Sequence, residues 1–335
     1  MQASNIDEQG NVLYLDRERL DRKENPFPPY KNKSNGLGIY NWLLTHVIYM
    51  SRDRWPLALK LYRMFVRFSV WMKEGGWKAK VYKTGIKLSP DMERHTGTVV
   101  MPLNVDISGH GEKVVIPLDL IKESLKKVNY IAGMDSCLCR EANDCEDYPH
   151  DLGCLFLGEA AKIVASHDLG RIISYEEACA RVDEAARVGL VGQAVWIEVE
   201  QMLWGIPNDI MDDFMEICFC CPCCCIAMRL ARNATAAERH RFHPAGWTAV
   251  PDRTKCVGCK QCLEGPNGCP VEAISFGEDG KVQIDQEHCV GCGICKARCN
   301  FDVIKIKQTM PMRGDLHEYF LKDYKLDIKA FKETS

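Results

Sequence analysis

The chain has 335 residues, 46% of them hydrophobic, and its 43 basic residues nearly balance 46 acidic ones. This length is enough for two domains, and the near-neutral charge gives no general attraction for nucleic acid, which we exclude as a partner. The N-terminal sequence lacks the charged start and apolar run of a signal peptide, and no window offers 18 consecutive apolar residues. We therefore expect a cytoplasmic protein without a membrane-spanning helix.

Nineteen cysteines are the unusual feature of the composition. In a reducing compartment, clustered thiols more often bind metals than form disulfides, and an odd number of cysteines cannot pair completely within one chain. The cysteines therefore predict metal sites.

The first part of the chain is polar and proline-rich, and we expect residues 1 to 36 to form an extended arm. Residues 57 to 72 predict an amphipathic helix in which Lys60, Arg63 and Arg67 edge a wide apolar face. Such a helix can lie on a membrane surface, bind a partner subunit or pack in the core. A peripheral membrane contact through residues 57 to 72 is therefore one of three open predictions.

Three segments around the cysteine-rich centre have recognisable patterns. Residues 97 to 117 hold two β-rich runs around a glycine-containing turn and predict a hairpin. Residues 118 to 128 predict a helix. A further helix is expected from about residue 208 to 217, leading into the densest group of cysteines.

One helix has both ends marked in the sequence. Ser174 and Glu177 form a capping box at its start, and Gly189 suits the left-handed position that ends a helix. With these helices, residues 37 to 245 are interpreted as a mainly α-helical, cysteine-rich domain with a small β-hairpin. The fold class expected for the whole chain is α+β.

Eleven cysteines lie in this central domain. Cys137 and Cys139 are two residues apart, so in an extended strand both would point toward one metal. A turn after them would bring Cys145 to the same site. Cys154 is expected to begin a helix over residues 155 to 166. This segment is thus a candidate metal-binding region.

The other central cysteines are not equivalent. Cys179 and Cys218 fall on apolar helix faces and are most simply core residues. Pro222 fits the first position of another helix, which would place residues 223 to 225 in its first turn. Successive helical residues differ by about 100°, so these three adjacent cysteines cannot all face one cluster.

We interpret the central cysteines as ligands of one or two additional iron–sulfur clusters held between the two segments. A structural zinc ion or a reactive dithiol is the alternative. The candidate ligands are Cys137, Cys139, Cys145, Cys154, Cys220, Cys221, Cys223 and Cys224.

The C-terminal part of the sequence contains one unit twice. Each unit has a C-x-x-C-x-x-C run and a separate fourth cysteine, and β-rich runs occur at residues 273–276, 281–284 and 303–306. In this pattern three thiolates wrap one iron–sulfur cube, and the fourth cysteine of the unit binds the other cube. A pair of zinc sites is the alternative, although zinc ribbons do not need the third cysteine of each run.

Residues 247 to 308 resemble the bacterial-type ferredoxins with two [4Fe-4S] clusters, and we assign residues 246 to 310 to this domain and 311 to 335 to a tail. Two departures from the family are a six-residue spacing between Cys262 and Cys269, and Asn300 where the family usually has proline. The resemblance implies that one cluster is bound by Cys256, Cys259, Cys262 and Cys299. It implies that the other is bound by Cys269, Cys289, Cys292 and Cys295.

Residues 118 to 230 resemble an uncharacterised group of ferredoxin-domain proteins of anaerobic bacteria and archaea. The segments CLCR, GCLFLGEA, EEA and CCPCCC carry this likeness, which implies no activity. The sequence has neither a G-x-G-x-x-G after a strand nor a phosphate loop, so hydride chemistry would need a partner.

The function expected from these features is electron transport within an oxidoreductase complex. The protein would relay single electrons between a soluble electron carrier and a redox partner, such as a catalytic or flavin subunit. One alternative is a reductase whose central cluster binds a substrate, and another is a metal-binding redox sensor or scaffold. Enough cysteines are present to saturate every proposed site, which favours the relay.

Overall fold

The computed structural model describes residues 50–87, 96–101, 103, 117–197, 204, 206, 214–234, 242–244, 246–264 and 268–308. The arm predicted for residues 1 to 36 and the tail predicted for residues 311 to 335 lie outside these ranges. Within them, a group of helices comes first, a large sheet with packed helices follows, and a small module of short strands comes last.

The first helices form a layer before the sheet. After one 3-10 turn at Arg52–Arg54, α1 covers Trp55–Phe68, α2 covers Val70–Glu74 and α3 covers Gly76–Lys87. Helix α2 ends at Gly75, whose φ of 73° is a left-handed conformation that glycine adopts without strain. The helix predicted over residues 57 to 72 is present, but it is divided at Ser69.

One side of α1 contacts the cysteine-rich segment, where Arg63 Nη2 donates to the carboxylate of Asp144 at 2.8 Å. Other positions of α1 leave Leu57 and Met64 exposed. The membrane contact through residues 57 to 72 stays a prediction. Among the described residues, none of the helices combines the length and apolar character needed to cross a bilayer.

The central domain is built on a sheet whose described part has seven strands. In chain order they are β1 Thr96–Met101, β2 Ile131–Met134, β3 Leu155–Leu157, β4 Gly170–Ile172, β5 Val191–Ile197, β6 Met215–Cys220 and β7 Phe242–Pro244. Their spatial order is β4-β2-β3-β6-β5-β1-β7. Neighbouring strands are antiparallel, except for β1 and β7, which are parallel.

Helices connect these strands and cover the apolar core. They are α4 Pro117–Leu125, α5 Leu138–Ala142, α6 Ala160–Ser166, α7 Tyr175–Arg187 and α8 Ile226–Asn233. Helix α6 packs against β2, β3 and β4, while α4 packs against α7. Ile121, Ile131 and Val182 are fully buried between them, so the core lies where these helices meet the sheet.

The domain has more β structure than the small hairpin that the sequence predicted. Residues 215 to 217, expected to be the end of a helix, belong instead to strand β6, and residues 208 to 213 of that expected helix lie outside the described residues. The helix expected from residue 155 begins only at Ala160, because residues 155 to 157 form β3. Short apolar runs are ambiguous between helix and buried strand, and here the pairing of β3 with β6 decides for strand.

The first half of the hairpin predicted over residues 97 to 117 is present as β1, which pairs with β5 and β7. Residues 104 to 116, which include most of the second half, lie outside the described part of the chain. The helix predicted from residue 118 is present as α4.

One of the two hydrogen bonds of the capping box predicted at α7 is present, whereas the carboxylate of Glu177 accepts from Arg171. Ser174 Oγ accepts a hydrogen bond from the backbone N–H of Glu177 at 3.2 Å, and the helix begins at the next residue, Tyr175. Beyond its end, Gly189 has a φ of 81°, as expected for a left-handed cap. Local sequence signals therefore predicted this helix at both ends.

The described part of the C-terminal module consists of two small antiparallel ladders, a 3-10 turn at Arg253–Lys255 and one short α-helix. β8 Trp247–Pro251 pairs with β11 Ile304–Gln308, β9 Ile274–Phe276 pairs with β10 Val282–Ile284, and α9 covers Ile294–Ala297. Strands β9, β10 and β11 each begin one residue after the start of a β-rich run that the sequence predicted. The change from the large sheet to this module falls between Pro244 and Trp247.

Candidate metal centres

The eight cysteines of the repeat lie around two separate cavities in the C-terminal module. We call the cavity nearer to solvent the outer centre and the other the inner centre. The outer centre is lined by Cys256, Cys259, Cys262 and Cys299. The inner centre is lined by Cys269, Cys289, Cys292 and Cys295. The structure thus groups these cysteines in the two sets that the ferredoxin resemblance implies.

A tight loop shapes the outer centre. Gly258 has a φ of 71°, and a Cβ atom at this position would lie 2.7 Å from the carbonyl oxygen of Gly280. Any other residue would therefore combine backbone strain with a steric clash. The Cys-Val-Gly-Cys loop takes this shape because residue 258 is glycine.

Backbone N–H groups point at sulfur atoms in both centres. Hydrogen bonds of this kind stabilise thiolates and influence the reduction potential of a bound cluster. The donors and acceptors are Val282 N with Cys256 Sγ at 3.4 Å, Val303 N with Cys299 Sγ at 3.4 Å, and Ala273 N with Cys269 Sγ at 3.3 Å. In addition to forming the fold of the module, these backbone segments therefore donate hydrogen bonds to the cysteine sulfur atoms.

The two departures from the ferredoxin pattern are accommodated at the surface. Asn300 is exposed, and its Nδ2 donates to Gln261 Oε1 at 3.3 Å. In the longer loop after Cys262, the carbonyl oxygen of Glu264 accepts a hydrogen bond of 2.8 Å from Arg298 Nη1. Residues 265 to 267 of this loop lie outside the described residues.

The outer and inner centres differ in exposure. Cys259 of the outer centre is exposed, and the neighbouring Val257 and Phe301 are 62% and 48% exposed. In the inner centre, Cys292 and Cys295 are buried. Cys269 and Cys289 of the inner centre are partly buried, so the outer centre is the more accessible of the two to solvent.

The central domain contains a compact group of four thiols, Cys145, Cys221, Cys223 and Cys224, which we call the four-thiol group. All four sulfur atoms lie within 4.8 Å of one another. Across the two segments, Cys145 Sγ and Cys223 Sγ are 3.6 Å apart. Cys145 follows α5, whereas the other three lie in the turn between β6 and α8.

A second set of thiols forms a continuous line, which we call the thiol row. Its members contact their neighbours in the order Cys137, Cys139, Cys225, Cys220, Cys218 and Cys154. The Sγ atoms of Cys154 and Cys218 are 3.4 Å apart, and Cys218 Sγ lies 3.1 Å from Glu216 Oε1. A buried carboxylate therefore stands at one end of the row.

Other side chains touch the thiol row from neighbouring elements. The Tyr62 hydroxyl of α1 lies 3.0 Å from Cys139 Sγ, and Gln193 Nε2 of β5 lies 3.5 Å from Cys225 Sγ. These contacts join the first helices and the sheet to the row. All nineteen cysteines of the chain are free thiols in the structure.

The structure divides the predicted central ligands differently from the sequence prediction. Of the predicted ligands between residues 137 and 154, Cys145 joins the four-thiol group, while the other three lie in the thiol row. Of the predicted ligands between residues 220 and 224, Cys220 lies in the row and the other three lie in the four-thiol group. Cys179 stays apart on α7, where its thiol contacts Tyr175.

The differences follow from the local backbone. Cys139 lies in α5 rather than in an extended stretch with Cys137, and Cys154 precedes a strand rather than a helix. The helix expected from Pro222 begins only at Ile226, because residues 222 to 224 form a turn. Two adjacent cysteines of this turn can therefore join one group, while Cys225 belongs to the row.

Sequence reasoning missed two members of the thiol row and the carboxyl group beside it. Cys218 was predicted to be a core residue, Cys225 was not among the candidate ligands, and Glu216 was not considered. All belong to or follow β6, in which residues 216, 218 and 220 alternate and so share one face of the strand. This period of two was the signal that could have found Glu216 and Cys218, whereas Cys225 lies beyond the strand and offered no such signal.

A buried arginine lies between the two sets of thiols. Arg140 has no exposed surface, and its guanidinium donates to the carbonyl oxygens of Phe219, at 2.8 Å, and Leu152. Burial alone would lower the pKa of Arg140, but the thiols around it, with Cys137 and Cys221 foremost, raise it. A buried cation is costly without negative charge nearby, so its position favours thiolates in these sets.

The surroundings also determine which groups ionise. Hydrogen bonds from Cys223 and Cys224 hold the pKa of the Cys221 thiol far below its usual range. Burial raises the pKa of the Glu216 carboxyl. The four-thiol group thus already favours one thiolate, whereas the carboxyl end of the row favours its protonated form.

Comparison with known proteins identifies the C-terminal module. Residues 255–303 match the family described as the 4Fe-4S dicluster domain. The putative oxidoreductase UacF of Escherichia coli is 32% identical over 107 residues, which cover 30% of the chain and 16% of UacF. The chain therefore spans only a small part of this relative.

Two shorter relatives are covered over most of their length. The putative electron transport protein YsaA of Escherichia coli is 40% identical over 111 residues, or 28% of the chain and 69% of YsaA. The pyruvate synthase subunit PorD of Methanocaldococcus jannaschii is 40% identical over 73 residues, or 22% of the chain and 74% of PorD. No solved structure matches the chain.

Proposed function

Because the chain belongs to the family of proteins that carry a 4Fe-4S dicluster ferredoxin domain, we propose that it relays single electrons between a soluble carrier and a partner redox enzyme. The relay comprises the outer centre, the inner centre and an additional metal centre in the thiol row. The partner is a catalytic or flavin subunit, because the sequence offers no nucleotide-binding motif of its own.

The residues of both C-terminal centres fit [4Fe-4S] clusters. Each cavity is lined by four thiols, and thiolates are the usual protein ligands of these clusters. N–H groups of Val282 and Val303 donate to sulfur in the outer centre, and that of Ala273 does so in the inner centre. When bound, each cluster accepts and returns one electron.

The observation that carries the proposal is the contact between the inner centre and the thiol row. Both contribute sulfur atoms to one continuous apolar cluster, in which Met228 of α8 packs with Val271 and Ile294 of the C-terminal module. The cysteines that take part are Cys269, Cys289 and Cys292 from the inner centre, and Cys218, Cys220 and Cys225 from the row. This contact supports a path from the module into the central domain.

The difference in exposure between the outer and inner centres supports a direction for electron transfer. The outer centre presents Cys259, Val257 and Phe301 to solvent, where a soluble carrier can approach. The inner centre packs with apolar side chains of the central domain on the side that faces the thiol row. We therefore place the carrier at the outer centre and the partner enzyme beyond the thiol row.

One observation favours a second function, a reductase. Glu216 lies beside Cys218 and offers a carboxylate among thiols, and a ligand of this kind leaves a metal more readily than a thiolate does. A vacated position could bind a substrate. Turnover of a substrate by the purified chain with an artificial electron donor, or a substrate-dependent change in a cluster's EPR spectrum, would favour the reductase over the relay.

The relay is tested with a matched pair of variants, Cys259→Ser in the outer centre and Cys292→Ser in the inner centre. The full-length protein is prepared without oxygen and mixed with a reduced ferredoxin in a stopped-flow spectrometer. We expect the first variant to slow electron uptake from the carrier. We expect the second to take up electrons at the outer centre but to pass few of them to the central domain, as followed by EPR.

Cys179→Ser is the control, because this cysteine lies apart from both centres on α7. It should behave as the unmodified protein does. Equal rates of uptake and onward transfer in the two centre variants would contradict the relay.

A further inference from the structure

The four-thiol group is more compact than either C-terminal centre. Its four sulfur atoms lie within 4.8 Å of one another, whereas the eight cysteines of the C-terminal module, all of them described, form no group of this tightness. In a four-iron cube each thiolate binds a different iron, which separates the sulfur atoms. The sulfur atoms of the four-thiol group are thus closer together than four thiolates that each bind a different iron of one cube.

One tetrahedral ion requires the shorter spacing. With zinc–sulfur bonds of about 2.3 Å, tetrahedral geometry places the sulfur atoms roughly 3.8 Å apart. The Sγ atoms of Cys145 and Cys223 are already 3.6 Å apart. The group therefore needs only small side-chain adjustments to surround a single ion.

The backbone around the group is held in place from both segments. Arg229 of α8 donates to the carbonyl oxygen of Cys223 at 2.9 Å and to Asn143 Oδ1 at 3.1 Å, so it joins the turn to the loop before Cys145. The N–H of Cys145 donates to the carbonyl oxygen of Arg140 at 3.0 Å. Such outer contacts orient the ligands of a metal site before the metal binds.

The ligand set is closed and its charge can be balanced. Four thiolates and one divalent cation carry a net charge of about −2, and thiolates select zinc among the common divalent ions of cells. Arg140 and Arg229 lie beside the group and supply two positive charges. The group contains neither a carboxylate nor a histidine, so it resembles a structural site rather than a catalytic one.

We propose that Cys145, Cys221, Cys223 and Cys224 bind a single Zn²⁺ ion as a structural site. The ion ties the loop after α5 to the turn between β6 and α8, and this turn leads directly into Cys225 of the thiol row. Zinc binding thereby stabilises the part of the central domain that contacts the inner centre. This inference does not rest on the proposed electron relay, because zinc carries no electrons.

The first test uses the unmodified full-length protein, prepared without oxygen in medium that contains both iron and zinc. We expect elemental analysis to find about one zinc ion per chain, and X-ray absorption at the zinc edge to find four sulfur neighbours at about 2.3 Å. Zinc with nitrogen or oxygen neighbours, or no bound zinc at all, would overturn the proposal.

The second test compares Cys145→Ser and Cys223→Ser with the control Cys179→Ser. The first two should lose most of the zinc and keep the iron of the C-terminal module, whereas the control should keep both. Loss of about four irons with no change in zinc would instead assign the group to a cube. Electron uptake from reduced ferredoxin separates the two proposals, because a zinc-free variant should still accept electrons at the outer centre.

Discussion

The C-terminal module and the central domain both collect cysteines, but they do so in different ways. In the module, each C-x-x-C-x-x-C loop wraps around one cavity, so neighbours in sequence are neighbours in space. In the central domain, Cys145 meets residues of a turn 76 to 79 positions later, and Cys154 meets Cys218 across paired strands. Spacing predicts ligand sets only where one short loop supplies most of the ligands.

The two regions also differ in the groups that stabilise negative charge on their cysteine sulfur atoms. The module uses backbone N–H groups that point at Cys256, Cys299 and Cys269. The central domain adds a buried guanidinium, that of Arg140, which is held by two backbone carbonyl oxygens. The first device follows from loop geometry, whereas the second requires the strands and loops of the domain to assemble around one side chain.

Replacement of this guanidinium should have the largest effect, because it should affect the central domain and leave the C-terminal module intact. We expect Arg140→Met to destabilise the central domain by about 3–5 kcal/mol, because it leaves two buried carbonyl oxygens unpaired and removes the cation beside the thiols. Metal bound in the central domain should be lost, while about eight irons stay in the module. Elemental analysis and thermal unfolding measure the two effects.

Arg140→Lys is the matched variant, since it keeps the charge but not both hydrogen bonds. It should retain more central metal than Arg140→Met. Unchanged metal content and an unchanged melting temperature in Arg140→Met would show that the buried charge does not support the central thiols.

The contact between the two regions can be weakened from the side of α8. Met228 is buried against the C-terminal module, and we expect Met228→Ala to cost about 2–5 kcal/mol through lost packing and a cavity. Transfer from the inner centre to the central domain should slow, while uptake at the outer centre should not change. Chemical denaturation and stopped-flow kinetics give the two readouts.

Met64→Ala on α1 is the control, because Met64 is half exposed and lies outside this contact. Its effect should stay within about 0.5 kcal/mol. Equal losses in the two variants would mean that the packing of Met228 is not specific to the contact.

A smaller effect on the stability of the folded state should depend on pH, through one buried histidine outside the C-terminal module. Burial lowers the pKa of His167 from 6.5 to about 4, although a hydrogen bond with the backbone of Met50 opposes the shift. The unfolded chain therefore takes up a proton before the folded chain does as the pH falls below 6.5. Between pH 7.5 and pH 5 the folded state should lose about 2 kcal/mol of stability through this residue.

The measurement compares the unmodified protein with His167→Leu in denaturant titrations without oxygen at both pH values. The C-terminal module is the same in both proteins, so its own acid sensitivity cancels in the difference. The stability of the unmodified protein should fall more steeply with acid than that of the variant. Parallel pH dependences would show that His167 is not held neutral by burial.

Several elements could be predicted because their signals are local. Ser174 and Glu177 cap α7, Gly189 follows its end, and the repeated cysteine loops define the module. Strands β3 and β6 could not be predicted in the same way. Their short apolar runs suit either a helix or a buried strand, and only their pairing with each other decides between the two.

In the C-terminal module, the spacing within each C-x-x-C-x-x-C loop was enough to place three cysteines together, and the resemblance to two-cluster ferredoxins implied the fourth. The division of the central cysteines between the four-thiol group and the thiol row depends on the tertiary structure. The turn at residues 222 to 224 sends Cys223 and Cys224 to Cys145, whereas the alternation along β6 sends Cys218 and Cys220 to the thiol row. The physical reason is that a strand or turn orients each side chain according to its pairing partners, which lie far away in the sequence.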